Sequence, residues 1–235
     1  MSSFTRHWNS AGKPVSHVMK VNTQLIVLHT TRYGENSVIL HTLGREYGRR
    51  SFFVRNASKK QMMTLFQPLN ILEGDINDDG KAKLLNINNL SALYPLSGIR
   101  ADLYKNSMTL FISEVLYRAV KEGSREEGMF EWCVKNILLL DSVSTDFSNF
   151  HLRFLLELSV ILGFSPSIED LQPFVGSHYG IISEFMASSF AESMLIPLSG
   201  ETRNEIAEDI LRYLEFHLDS ALNINSLKVL RELYA

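Results

Sequence analysis

Between Leu25 and Ile87 the chain carries five short stretches of strand-forming sequence, and after Pro95 it changes to helical periodicity. Strands gathered at one end and helices at the other describe an α+β protein. Leu25–Leu28, Ser37–Thr42 and Arg50–Val54 are rich in β-branched and aromatic residues. Turn-forming sequence separates them, first Tyr33-Gly34-Glu35-Asn36 and then Gly44 to Gly48. A fourth strand is predicted over Phe66–Leu72 and a fifth over Ala82–Ile87, with Asn77-Asp78-Asp79-Gly80 as a hairpin loop between them. Five short strands in about 70 residues suit a small antiparallel barrel. The OB-fold is the five-stranded form that binds single strands, and an SH3-like barrel fits the spacing nearly as well.

Downstream, Met108, Phe111, Ile112, Val115 and Ala119 recur at helical spacing, as do Ile206, Ile210, Tyr213, Leu214 and His217. Phe130–Leu140, Asn149–Leu162 and Ser226–Leu233 also read as helices. Asn149–Leu162 is apolar on nearly all sides and is predicted to lie at the centre of a bundle, ended by Gly163-Phe164-Ser165-Pro166. The resulting division has three parts. Residues 1–19 are a flexible arm or a misassigned start, 20–95 a basic barrel, and 96–235 an acidic helical domain with an irregular segment at about 167–200.

Charge follows the same division. Lys20, Arg32, Arg45, Arg49, Arg50, Arg55, Lys59 and Lys60 face only Glu35 and Glu46, a net +6 in a chain whose total is −3. With Arg6 and Lys13 upstream, residues from Gln61 onward carry −11. A chain polarised in this way suggests that one end meets a polyanion. Arg32, Arg45, Arg49, Arg50, Arg55, Lys59 and Lys60 lie on or beside the predicted strands and could form a phosphate-tracking groove. Tyr33, Tyr47, Phe52 or Phe53 would then be available to stack on bases. Phe52 and Phe53 alternate, so at least one of them must enter the core.

Other chemistry finds little support. With Cys133 alone among 235 residues, the chain can form neither an internal disulfide nor a cysteine zinc site, and Cys133 reads as a buried helical thiol. Asp75 to Gly80 matches the start of a calcium loop, but Asn86 stands where the twelfth-position glutamate is required. No histidine stands at ligand spacing to a carboxylate or cysteine, and His217 reads as a core histidine on an apolar helix face. No GxxxxGK[ST], GxGxxG or G-x-S-x-G occurs, so no enzyme, metal or cofactor is expected. No apolar run approaches the roughly 20 residues that span a bilayer, and the N-terminus lacks a signal-peptide core. A cytoplasmic protein is expected.

The residues carry a resemblance to the RecO family of bacterial recombination mediators. The matching pieces run from Val27-Leu-His-Thr-Thr-Arg-Tyr-Gly-Glu-Asn-Ser-Val-Ile-Leu40 through Tyr47-Gly48-Arg49 and Val54-Arg-Asn-Ala-Ser-Lys-Lys60. Phe66-Gln-Pro-Leu69, Tyr94-Pro-Leu96, Leu162-Gly-Phe-Ser-Pro166 and Arg212-Tyr-Leu-Glu-Phe-His-Leu218 follow in family order. The resemblance implies an N-terminal OB-fold and a helical domain. It implies binding to single- and double-stranded DNA, strand annealing, and work with RecR to load RecA onto DNA covered by single-stranded DNA-binding protein (SSB). It also implies a site for the acidic tail of SSB on the helical domain, for which Arg118, Lys121 and Arg153 are the nearest cations.

Two departures from the family pattern stand out. Many members carry four zinc-binding cysteines after the segment matching Gly163–Pro166, and Ser167–Phe185 has none. That stretch is expected to be held by Leu171, Phe174, Tyr179, Ile181, Ile182 and Phe185. Asn56 stands where the family often has glycine. The competing reading is an interaction scaffold whose barrel docks protein rather than DNA.

Overall fold

The structure, a computed structural model, describes residues 19–57, 60–78 and 84–233. The predicted arm at 1–18, Lys59 and the hairpin tip at Asp79-Gly80 lie outside the described residues.

Strand β1 (Met19–Tyr33) is twice as long as the strands it joins, and that length closes the barrel. Its first half pairs antiparallel with β4 (Ile71–Asp78) and its second half with β2 (Ser37–Gly44). Pairing shifts register between Val27 and His29, a bulge that bends the strand from one neighbour to the other. β2 pairs with β3 (Gly48–Arg55), and β3 runs parallel to β5 (Leu85–Ala92) at Phe52 and Phe53. The order β1-β2-β3-β5-β4 is closed, and helix α1 (Lys60–Leu65) sits between β3 and β4. This five-stranded closure is the OB-fold.

Two strand predictions need correction. The strand predicted over Phe66–Leu72 begins only at Ile71, because Phe66 to Asn70 form the link from α1 into β4. Phe66 plugs the barrel core there, and Asn70 binds the Thr64 and Leu65 carbonyls. β5 begins at Leu85 and runs on to Ala92, beyond the predicted Ile87. Asn-rich sequence at 86–89 hid it, since asparagine is depleted in strands.

Inside the barrel lie Leu25, Val27, Leu40, Phe52, Val54, Leu72, Ile76 and Ile87. Ile26 and Leu28 point the other way and join the helical core, so β1 serves two cores at once. Asn56 takes a left-handed φ of 54°, as its place in a turn requires. The carboxylate of Asp75 accepts from Asn22 of β1 and Asn89 of β5, a cross-strand tie and not a calcium ligand set.

The helical domain follows: α2 (Ser97–Ala101), α3 (Leu103–Ala119), α4 (Met129–Ser142), α5 (Phe150–Ile161), α6 (Ile168–Val175), α7 (Tyr179–Ala187), α8 (Phe190–Leu195), α9 (Gly200–Leu218) and α10 (Leu227–Leu233). Asp102 caps α3 through the Tyr104 and Lys105 amides. α5 is the buried centre and packs on α3, α4, α8 and α9. Cys133 is fully buried, and burial pushes its thiol well above the ordinary range. The segment expected to be irregular holds three short α-helices, with a single 3-10 turn at Gly176–His178 between the first two. Ser167 and Ser189 begin α6 and α8 with full capping boxes, which replace helical periodicity as the local signal. Leu171, Val175, Ile182 and Phe185 bury that segment against the main core, while Tyr179 stays exposed.

His217 is exposed, lying among the rings of Phe164, Tyr213 and Phe216. Among the described residues the buried histidine is His151 on α5, edge-on to Phe111 at 5.8 Å. Burial, and then Arg203, push its pKa down to about 3. Below the unfolded value of about 6.5 the unfolded chain takes a proton that the folded protein refuses. Stability is therefore full above that pH and falls as acid is added, by about 1.4 kcal/mol per unit. From pH 7 to 5, urea denaturation should show roughly 2 kcal/mol more loss for the native chain than for His151→Leu. Equal losses in the two proteins would refute this assignment.

Candidate nucleic-acid interface

The basic residues that look contiguous in sequence are divided between the two ends of the barrel. β3 is the reason. Arg49 and Arg55 are six residues apart on one strand, or about 20 Å at the rise of an extended chain.

At one end the β2–β3 turn docks on the helical domain. Arg45 lies 3.5 Å from Glu131 and over the ring of Phe130 at 5.1 Å. Arg49 is only 4% exposed and donates to Glu122 at 2.8 Å, with its guanidinium 4.7 Å from the Tyr117 ring centre. The loop between α3 and α4 also bonds the backbone of Arg49. Arg49 N–H donates to Ser124 O, and Gly123 N–H donates to Arg49 O. Arg49 thus belongs to the joint between barrel and helices, and its assignment to a phosphate groove is corrected. Arg50 points to the opposite face, as the pleat requires of neighbours, and lies over Tyr47 at 5.6 Å. Tyr47 itself packs on Phe52 at the barrel end, edge to face.

At the other end the strands project free of the helices. Arg32, Tyr33 and Arg55 are exposed there, with Tyr33 60% accessible. Register sets Tyr33 opposite Ser37, and Ser37 opposite Arg55, so the tyrosine and the arginine share one outer face. Phe53, on the same face, meets Tyr33 edge-on at 5.5 Å, while its neighbour Phe52 is in the core. Lys60 opens α1 shortly after Arg55 in the chain. Arg55 with the Tyr33 and Phe53 rings on one open sheet face is the chemistry that holds a phosphate backbone and stacks bases, while Arg32, paired with Val38, is on the other face of the sheet at the same end.

The same face continues through Thr31, Ile39, His41 and His29 towards α3. His29 and His41 stack at 5.6 Å, and Tyr117 lies 5.0 Å and 5.2 Å from them. His41 is held by Thr31 at 3.0 Å and Ser51 at 2.8 Å, bonds that a neutral imidazole makes with both nitrogens. Burial comes first and nearby arginines second in lowering the pKa of both histidines: Arg118 for His29, Arg49 for His41. These residues were missed in the sequence. His29 and His41 are twelve positions apart, and Tyr117 is in another domain, so only the register of β1 on β2 brings them together.

Among the helical candidates, Arg153 is corrected. It is half-buried, bonded to Glu157 at 2.8 Å and to the Phe185 and Ser188 carbonyls, and it holds α7 to α5. Arg118 and Lys121 are exposed at the end of α3. A histidine–carboxylate group does exist, in contrast to the sequence expectation. His178 lies 2.9 Å from Asp209 and 3.1 Å from Glu205, with Arg212 also on Asp209. It pins the turn after α6 to α9. No group of three His, Cys, Asp or Glu side chains among the described residues could hold a metal ion. Nor is any of the described helices long and apolar enough to cross a membrane.

An OB-fold barrel joined to a helical domain through a buried arginine is the class that this architecture defines. Family models agree along the chain: the N-terminal domain of recombination protein O matches residues 19–96, and its C-terminal domain matches residues 100–171. A DNA repair protein RecO of Flavobacterium psychrophilum is 30% identical over 239 residues, covering 92% of this chain and 100% of the relative. Another, from Phocaeicola vulgatus, is 31% identical over 234 residues, 89% of this chain and 97% of the relative. A third, from Bacteroides fragilis, is 29% identical over 234 residues with the same coverage. The chain belongs to the RecO family of DNA repair proteins.

Proposed function

We propose that the protein is a cytoplasmic recombination mediator that binds and anneals DNA strands and helps RecR load RecA onto SSB-coated single strands. The observation that carries the DNA part is the free end of the barrel, where Arg32, Tyr33, Phe53 and Arg55 stand clear of the helices. Annealing needs no bond chemistry: neutralised phosphates let two strands approach, and splayed bases then pair. The acidic helical domain would meet protein partners. For the SSB tail, Arg118 and Lys121 remain as exposed cations, while Arg153 drops out because its guanidinium already has three protein partners.

Fluorescence anisotropy of labelled single-stranded DNA across a salt series tests this reading. Binding should be micromolar or tighter at low salt and fall steeply as salt rises. Arg32→Gln with Arg55→Gln should flatten the log–log salt slope by about 1.4, the change for two phosphate contacts on a single strand. An unchanged slope would show that the free end is not the interface. No binding at low salt would leave the barrel as a surface for protein.

A further inference from the structure

Where β1 meets α3 and α10, a cavity of about 630 Å³ opens beside the aromatic cluster. His29, Phe66, Leu110, Tyr117 and Val229 line it, with Arg118 among them. We infer that this cavity takes one unpaired base of a single strand lying along the outer face of β1, β2 and β3, an inference that rests on the DNA-binding reading above.

Continuity is the first argument. His29 belongs both to the outer column that begins at Tyr33 and to the cavity wall, so a strand followed from the free end arrives here. On β1 the column repeats every second residue, and Tyr33 to His29 covers about 13 Å of extended strand. Shape and chemistry are the second. The wall includes the aromatic side chains of His29 and Tyr117 and the apolar side chains of Leu110 and Val229, which are 40% and 41% exposed. A volume of about 630 Å³ falls within the range of small-ligand pockets.

Charge is the third, and it sets which part of a nucleotide goes inside. Glu114 is in the wall; burial works to raise its pKa, but Ser226 donates to it through both its backbone amide and its hydroxyl, and the net effect lowers the pKa and favours the ionised carboxylate. A phosphate is therefore repelled from the interior. Arg118, which lines the same cavity, is exposed and close to the Tyr117 ring, 5.7 Å away, so its cation can meet the backbone on the solvent side while the base enters. An acidic peptide tail that reached into the cavity past Arg118 would have to place its own carboxylates beside Glu114.

Val229→Trp, which fills the cavity from α10, is the test. Affinity is measured for an ordinary single strand and for an abasic strand of equal length, which keeps the phosphates and lacks the bases. The variant should bind the ordinary strand about tenfold more weakly, the size of one lost base stack, and the abasic strand as well as the native protein does. The unchanged abasic affinity also shows that the variant is folded. His29→Ala, a milder change on the opposite wall, should show the same selectivity with a smaller loss.

Equal binding of the ordinary strand by native and variant proteins would overturn the inference while leaving the barrel interface standing. Loss confined to an acidic, aromatic-ended peptide would overturn it too and give the cavity to a protein partner. If the native protein binds neither strand, the DNA reading itself has failed, and the inference fails with it.

Discussion

Gly48→Ala will cost the protein about 3 kcal/mol or more, enough to lower its melting temperature by ten degrees or so. Two independent facts add up at this position. Gly48 has a φ of 61°, which a β-carbon disfavours. A β-carbon there would also lie 2.1 Å from the Ser124 carbonyl oxygen and 2.9 Å from Arg125 Cα. Those are backbone atoms, fixed by the bonds between Arg49, Gly123 and Ser124, so relief requires the barrel and the helical domain to separate. Gly34→Ala is the control. Its φ of 65° is similar but nothing lies within 4 Å, so only the conformational cost of about 1 kcal/mol applies. Thermal denaturation of the two variants in parallel separates contact from conformation. Equal losses would show that the close approach to Ser124 contributes nothing.

Arg49→Glu is expected to lose about 3–5 kcal/mol of stability, the range for leaving a buried charge without its partner. The new carboxylate would face Glu122 across the distance that now holds a 2.8 Å ion pair, and the Tyr117 ring would lose its cation. Arg55→Glu, on the exposed end of the same strand, should change stability by no more than about 0.5 kcal/mol. The contrast between two arginines on one strand is the measurement, by urea denaturation at neutral pH. A stable Arg49→Glu protein would mean that the guanidinium is not buried in the joint.

Both results turn on information that the sequence holds only in part. The strands of the N-terminal half were legible because β-branched and aromatic runs alternate with glycine turns, as at Ser37–Thr42 between Gly34 and Gly44. The main helices were legible from their periodicity. Asparagines interrupt β5 and weaken its strand signal, and a lone apolar residue in a linker, such as Phe66, resembles the start of a strand. What the sequence could not show was which arginine meets which acid. Arg49 and Glu122 are 73 positions apart, and Arg153 finds the Phe185 and Ser188 carbonyls 32 and 35 positions away. A local excess of positive charge says that cations are close in the chain. Only the pleat and the docking of the domains decide which of them face solvent.

The double pairing of β1 also sets a timetable for synthesis. Its second half can pair with β2 as soon as the hairpin has left the ribosome, but its first half must wait for β4, about fifty residues further on. β3 must wait longer still, for β5. During that interval the nascent chain presents open hydrogen-bonding edges, and Ile26 and Leu28 await helices that have not yet been made. A ribosome pause placed after the first hairpin would lengthen that exposure, whereas one placed after Ala92 would let the barrel close first. Codon choice across Asn70 to Leu93 should therefore affect soluble yield more than the same changes in α9.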